Sequence, residues 1–189
     1  MLTVKKSINN IYNSISYIII NKKLSEFIII DVGDYLIIKE LIQGFSLKGI
    51  LLTHVHYDHI YGLNELLKDY PETIVYTNEF GAKSLINPWD NLSIYHNDKF
   101  IISNPDIIKI LKEGDSVNLL ENEIKIIETP GHDFSCLCFI IDNYLFTGDA
   151  FIPYKKVFTK LQNGNEKLAK ISYNKIKELS KIYKIYSGH

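Results

Sequence analysis

His54-Val55-His56-Tyr57-Asp58-His59 packs three imidazoles and a carboxylate into six positions, in a chain with only 6 histidines among 189 residues. Neutral imidazole and carboxylate are the usual protein ligands of zinc and related divalent metals. Side chains of this kind seldom cluster without partners. The run Gly49-Ile50-Leu51-Leu52-Thr53 leads into the hexamer and suits a buried strand. Gly62-Leu63-Asn64-Glu65-Leu66-Leu67 follows with apolar residues at helical spacing, and Pro71 stops it. The hexamer therefore reads as a loop between a buried strand and a helix, a placement that binding residues often occupy. In such a loop His54 and His56 can face one metal while Asp58 and His59 face a second.

Two metals need more ligands than four, and three other segments offer them. Thr129-Pro130-Gly131-His132 follows an alternating strand pattern, and its Pro-Gly turn presents His132. Leu145-Phe146-Thr147-Gly148-Asp149 is an apolar strand ending in Gly-Asp, and Ile185-Tyr186-Ser187-Gly188-His189 is one ending in Gly-His. Each is weak alone. With the hexamer, they place every histidine but one at a strand end. The exception, His96, lies in the polar stretch Tyr95-His96-Asn97-Asp98 and reads as an ordinary surface histidine.

The order H-x-H-x-D-H, TPGH, TGD and a final GH resembles the metallo-β-lactamase-fold hydrolases, and most closely the glyoxalase II-type thioesterases, the hydroxyacylglutathione hydrolases. Ile28-Ile29-Ile30-Asp31-Val32-Gly33-Asp34 is similar to the family's early strand and Asp-x-Gly turn, and Leu111-Lys112-Glu113-Gly114-Asp115 to its hairpin before TPGH. The resemblance implies an α/β fold, the αββα four-layer sandwich, over a single domain of residues 1–189 without a C-terminal helical extension. It also implies a ligand set. His54, His56 and His132 would hold one divalent ion, Asp58, His59 and His189 a second, and Asp149 would bridge them. Asp58 would additionally orient the attacking hydroxide, and Asp31 would orient ligands rather than bind metal. Zinc is the first expectation for both ions, with iron or manganese equally suited to such donors. The implied reaction is hydrolysis of a thioester or ester by a bridging hydroxide.

The same motifs separate neighbouring branches. His59 and Asp149 stand where the B1 β-lactamases have Arg and a Cys ligand, and His56 stands where flavodiiron proteins have Glu. The chain departs from glyoxalase II at Asp133-Phe134-Ser135, after TPGH, and at Pro153-Tyr154-Lys155-Lys156, after TGD. Tyr154 and Lys156 are candidate substrate contacts in that second departure. The competing readings are a lactonase or phosphodiesterase of the same fold, a mononuclear-iron persulfide dioxygenase, and a non-catalytic metal-binding protein. His189 is the last residue of the sequence, where fraying would loosen the second ion.

Composition narrows the partners. A net charge of −1 leaves no basic stripe for nucleic acid. All 21 cationic side chains are lysines, so no guanidinium can clamp a carboxylate or phosphate bidentately. No apolar run reaches the length of a membrane span or forms a signal-peptide core. Cys136 and Cys138 fall on one side of a strand, too poorly placed for a disulfide with each other, which fits a reducing cytoplasm. The expected partner is a small-molecule substrate; oligomeric state stays open.

Strand patterns fall near 15–20, 27–31, 35–38, 49–53, 73–77, 124–128, 136–141 and 144–147, with Tyr17–Ile20 as the first strand of a hairpin turning at 21–23. Helical patterns fall near 62–69, 78–86 and 166–183, the last with Leu168, Ile171, Ile176, Leu179 and Ile182 as its core stripe. Residues 87–110 are polar and irregular and suit the rim of a substrate site.

Overall fold

The computed structural model describes residues 2–189 and divides them between two sheets. The first half of the chain supplies β1 (Leu2–Ile8), β2 (Ile15–Asn21), β3 (Glu26–Ile30), β4 (Ser46–Leu51), β5 (Val75–Thr77) and β6 (Ile108–Ile110), paired in that order. β1, β2 and β3 are antiparallel; β3 to β6 run parallel. The second half supplies β7 (Ser116–Leu119), β8 (Asn122–Glu128), β9 (Leu137–Ile141), β10 (Tyr144–Gly148) and β11 (Lys184–Ser187), with β11 added parallel to β10. Helices α1 (Tyr35–Leu41), α2 (Tyr57–Ile60), α3 (Leu63–Asp69) and α4 (Glu79–Ser84) accompany the first sheet, and α5 (Glu166–Leu179) the second.

Alternation along the strands explains the layering. Ile18, Ile20, Phe27 and Ile29 pack with Ile38, Leu63 and Leu66 of the first helical layer. Ile19, Ile28 and Ile30 point the other way, against Ile124, Ile126, Phe139 and Phe146 of the second sheet. Cys138, Ile140 and Leu145 pack with Ile176 of α5. These three buried clusters make the four layers α, β, β, α. β2 and β3 are covered on both faces, so they read as unbroken isoleucine runs.

Four local expectations need correction. Residues 35–38 are helical, not extended. Tyr35, Ile38 and Ile42 are buried at helical spacing, while Leu36 and Ile37 are left in solvent. Tyr17–Ile20 lies in the second strand, because β1 precedes it and pairs with it from Leu2 to Ile8. The 87–110 stretch is not irregular throughout: it carries short 3-10 turns at Ser93–Tyr95 and Pro105–Ile107, and Ile108–Ile110 closes it by pairing with β5. The fourth concerns α5, whose buried face is Ala169, Ser172 and Ile176, whereas Ile171 and Ile182 are exposed. The cause is a close approach by the Pro130-Gly131 turn. Gly131 adopts φ +141°, and a Cβ there would lie 2.2 Å from the Ala169 amide nitrogen. Ser172 Oγ donates to the Pro130 carbonyl at 2.7 Å, and Asn165 N–H to that of Gly131 at 2.8 Å. Small residues, not large ones, suit a helix face pressed onto backbone.

Candidate metal centre

All the strand ends singled out above converge between the two sheets. β4 runs out at Leu51 into the hexamer, whose second half is α2. His54, His56 and His132 lie with one ring nitrogen each within 4.8 Å of the others, and Asp58, His59 and His189 do the same with a carboxylate oxygen and two ring nitrogens. The two groups adjoin. The His132 and His56 nitrogens are 3.0 Å apart, and those of His59 and His189 3.4 Å. Asp149, delivered by β10, lies between: Oδ2 is 3.6 Å from His132 Nε2 and 3.3 Å from His189 Nε2, and Oδ1 is 3.6 Å from His59 Nε2.

The outer nitrogens are held. His59 Nδ1 donates to Asp31 Oδ2 at 2.9 Å. Asp31 also accepts the Thr53 amide at 2.7 Å and the Thr53 hydroxyl at 2.6 Å. That hydroxyl spends its proton on Asp31, so at 3.1 Å it accepts from His54 Nδ1. His132 Nδ1 donates to the Phe158 carbonyl at 2.7 Å, and His189 Nδ1 to the Tyr12 carbonyl at 3.1 Å. His56 Nε2 is the exception: it faces Asp133 Oδ2 at 3.4 Å without a hydrogen bond, and Asp133 Oδ1 is fixed by the Ser135 amide at 2.7 Å. Each imidazole therefore turns its second nitrogen inward, the arrangement ligating histidines adopt. Asp31 lies close enough to His54 and His59 to be grouped with them as a ligand. Both its oxygens already accept hydrogen bonds from Thr53 and His59. Its backbone sits at φ +58°, a left-handed turn that re-aims the chain at the end of β3.

This donor set fits divalent ions. His54 Nε2 and Asp149 Oδ1 are buried without a hydrogen-bond partner, a costly state that a cation relieves. Charge is uneven across the centre. Burial first, then the neighbouring imidazoles, push His54 well below the ordinary histidine value and lower His132. Burial would also lower His59, but Asp58, Asp31 and Asp149 outweigh it and lift it to about 9. His189, opposed by burial but bonded to Asp149 and Asp58, rises to about 10. Burial alone would raise Asp149; its contacts with His189, His59 and His132 hold it well below the carboxylate range instead.

His189 is well anchored. Gly188 N–H bonds to the Gly148 carbonyl at 2.9 Å, Ile15 N–H to that of Gly188 at 2.7 Å, and the Tyr17 hydroxyl to that of Ser187 at 2.7 Å. Ser14 Oγ reaches across to the Asp58 carbonyl at 2.6 Å, tying the β1–β2 hairpin to the hexamer. A Cβ at position 188 would lie 2.1 Å from Asp149 Oδ1, so glycine there is a condition of the cluster.

Tyr154 and Lys156 are not brought to the cluster. Tyr154 is fully exposed, Lys156 pairs with Glu166 at 3.0 Å, and both line a separate groove against α5. His96, by contrast, is no ordinary surface histidine. It is half-buried, its ring tilted against that of Tyr57 with centroids 4.3 Å apart, in the cavity that opens over the centre. Asp133 is a further residue whose part the motifs did not reveal, visible only as a departure after TPGH. The carbonyls of Tyr12 and Phe158 carry no signal in sequence at all.

A β-hairpin-bound, five-histidine, two-sheet centre of this form defines a class, and residues 16–189 match the metallo-beta-lactamase superfamily. The chain belongs to that family. It is 31% identical over 198 aligned positions to a probable metallo-hydrolase of Streptococcus pyogenes serotype M6, covering 100% of this chain and 84% of that one. It is 29% identical to a hydroxyacylglutathione hydrolase of Pseudoalteromonas translucida, over 78% of this chain and 48% of the relative. It thus spans about half the length of that hydroxyacylglutathione hydrolase. Among solved structures, the BLEG-1 B3 metallo-beta-lactamase superposes with a TM-score of 0.86 at 22% identity, covering 99% of this chain and 91% of that one. TTHA1623 in a di-iron-bound form superposes with a TM-score of 0.82 at 20% identity, over 98% and 92%. ETHE1 from Myxococcus xanthus gives 0.72 at 20% identity, over 99% and 75%. These likenesses establish the αββα metallo-beta-lactamase fold. No helix among the described residues is long and apolar enough to cross a membrane.

Proposed function

We propose that the chain, as one domain, is a two-metal hydrolase acting on a thioester or ester. His54, His56 and His132 would hold one ion, Asp58, His59 and His189 the other, and Asp149 would reach both. The observation that carries this is the convergence of the inward ring nitrogens, 3.0 Å apart in one group and 3.4 Å in the other, with Asp149 oxygens between. Zinc is the proposed metal, and iron or manganese would suit the same donors. When bound, such a pair of ions lowers the pKa of water toward neutrality and takes up negative charge on a carbonyl oxygen.

The chain's own residues do the rest. Asp58 lies 3.4 Å from His189 and 3.5 Å from His59. Those imidazoles overcome the effect of burial and keep it an ionised carboxylate, able to orient the attacking water and accept its proton. Water adds to the carbonyl carbon, the carbon–sulfur bond breaks, and the thiol leaves as thiolate, with no acid required. Asp31, Asp133 and the carbonyls of Tyr12 and Phe158 fix the imidazoles so that nothing reorganises during the reaction. The intact Asp58-His59-His189 group favours two ions over a mononuclear oxygenase centre. Buried, unpaired Cys136 and Cys138 accord with a reducing compartment such as the cytoplasm. Elemental analysis of protein purified without added metal should give two ions per chain, and a panel of esters and thioesters should be turned over. His56→Ala should lose an ion and more than a hundredfold of rate, exceeding the 10- to 100-fold typical of removing an outer partner; full rate and metal content in that variant would overturn the reading.

A further inference from the structure

The cavity over the centre holds about 570 Å³, within the range of sites that enclose a small ligand. His56, Asp58, His132, Asp149 and His189 form its floor. Its walls come from four segments: Tyr12 from the β1–β2 hairpin, Tyr57 from α2, Leu92, Tyr95 and His96 from the 87–110 stretch, and Phe158 and Leu161 from the loop before α5. These walls are apolar or aromatic. Among the described residues no lysine lines the cavity, and the chain has no arginine. Apart from the floor and the tyrosines, His96 is the sole titratable side chain in the wall. Tyr12, Tyr95 and Phe158 remain 68%, 71% and 56% exposed, so the wall offers uncovered apolar surface directly above the floor.

The wall is also built rather than incidental. His132 Nδ1 bonds the Phe158 carbonyl, fixing that loop to the floor. Gln162 donates to Asp90 Oδ1 at 3.0 Å, joining it to the opposite segment, and Asn87 holds the other Asp90 oxygen at 2.6 Å. His96 is clamped between Tyr57 and the edge of Tyr12, whose centroid is 6.0 Å away.

We infer that the substrate is an uncharged ester or thioester with a hydrocarbon group beside the scissile carbonyl, and that Tyr12, Leu92, Tyr95, His96, Phe158 and Leu161 form the pocket for that group. The scissile bond rests on the hydrolase reading above; the apolar pocket does not. An anionic thiol carrying several charges finds no lysine or arginine in these walls, whereas a hydrocarbon group buries itself against them. The carbonyl then lies over the floor, and rate rises with the hydrocarbon area removed from water.

The test measures kcat/KM for acetyl, butyryl and hexanoyl thioesters of N-acetylcysteamine, for hexyl thioacetate and for S-lactoylglutathione, and binding of the thioether S-hexyl-N-acetylcysteamine by calorimetry. Each buried methylene should raise kcat/KM by up to about fourfold, so a hexanoyl or hexyl compound should exceed its acetyl or short-chain counterpart about tenfold or more. A rise on the acyl side or on the thiol side supports the pocket and tells which side it holds. A flat series, or preference for S-lactoylglutathione, overturns it. Tyr95→Ser with Leu161→Ser removes exposed wall without touching the core, and should flatten the series and weaken thioether binding about tenfold. Absence of turnover on every compound would sink the hydrolase reading instead. Thioether binding then decides the pocket alone: binding lost in the double variant upholds it, and no binding to the unaltered protein overturns it.

Discussion

The two halves of the centre contain similar side chains in opposite electrostatic states. The group of His54, His56 and His132 is all imidazole, and burial drives His54 and His132 toward the neutral form. The group of Asp58, His59 and His189 mixes imidazole with carboxylate, and those carboxylates hold protons on His59 and His189. In metal-free protein the first half presents ready lone pairs, and the second is partly satisfied by its own protons. A cation meets desolvated neutral ligands on one side and must displace protons on the other. Similar ligand types therefore need not load alike, because what faces them differs.

The strongest way to break this comparison is to remove the outer partner of each half in turn. Asp133→Asn should weaken the proposed ion on His54, His56 and His132 by 10- to 100-fold. Asp31 bonds His59 directly and reaches His54 only through Thr53, so Asp31→Asn should weaken chiefly the proposed ion on Asp58, His59 and His189, by a similar factor. Titration with metal, followed by elemental analysis after dialysis, reads each loss separately. If both variants weaken the same ion, the division into halves is wrong.

A smaller effect sharpens it. His59 and His189, raised above the ordinary 6.5 to about 9 and about 10, stabilise the metal-free fold fully below pH 6.5, and that contribution fades as pH climbs through 9 and 10. His54 and His132, lowered, contribute in the opposite sense: their share is present above pH 6.5 and lost as pH falls through their depressed values. Urea midpoints of chelated protein from pH 5 to 10 should therefore fall at both ends. In His189→Gln the alkaline fall should shrink while the acid fall persists. An unchanged alkaline limb would mean that His189 carries no such proton.

The sequence showed the floor of the site far better than its walls. Histidine is scarce enough that a hexamer with three stands out, and Gly-His or Gly-Asp after an apolar run marks a turn that presents one side chain. His132, Asp149 and His189 were legible for that reason, and the structure gathers them around the hexamer. Two outer partners are main-chain carbonyls, at Tyr12 and Phe158, which every residue type supplies equally. Asp133 was visible only as an unexpected letter, because its partner His56 lies far back in the chain. The walls combine loops with no periodicity, and the polar neighbourhood of His96 in sequence becomes an aromatic one in space. The differences between pattern and structure at 35–38 and along α5 share a cause. Apolar content does not equal burial: Leu36, Ile37 and Ile171 are exposed and the contacts are made by Tyr35, Ile38, Ala169 and Ser172.

The bond from His189 to the Tyr12 carbonyl joins positions 177 apart in sequence. A contact of such span closes a loop of nearly the whole chain, and closures of that kind come late in folding. The second group cannot exist until the β1–β2 hairpin has met β11. An ion would then act as a seal on a finished structure rather than a seed for it, stabilising the native state by mass action. Stopped-flow refolding with a fluorescent metal indicator should show uptake trailing the recovery of secondary structure; uptake that leads it would reverse that order.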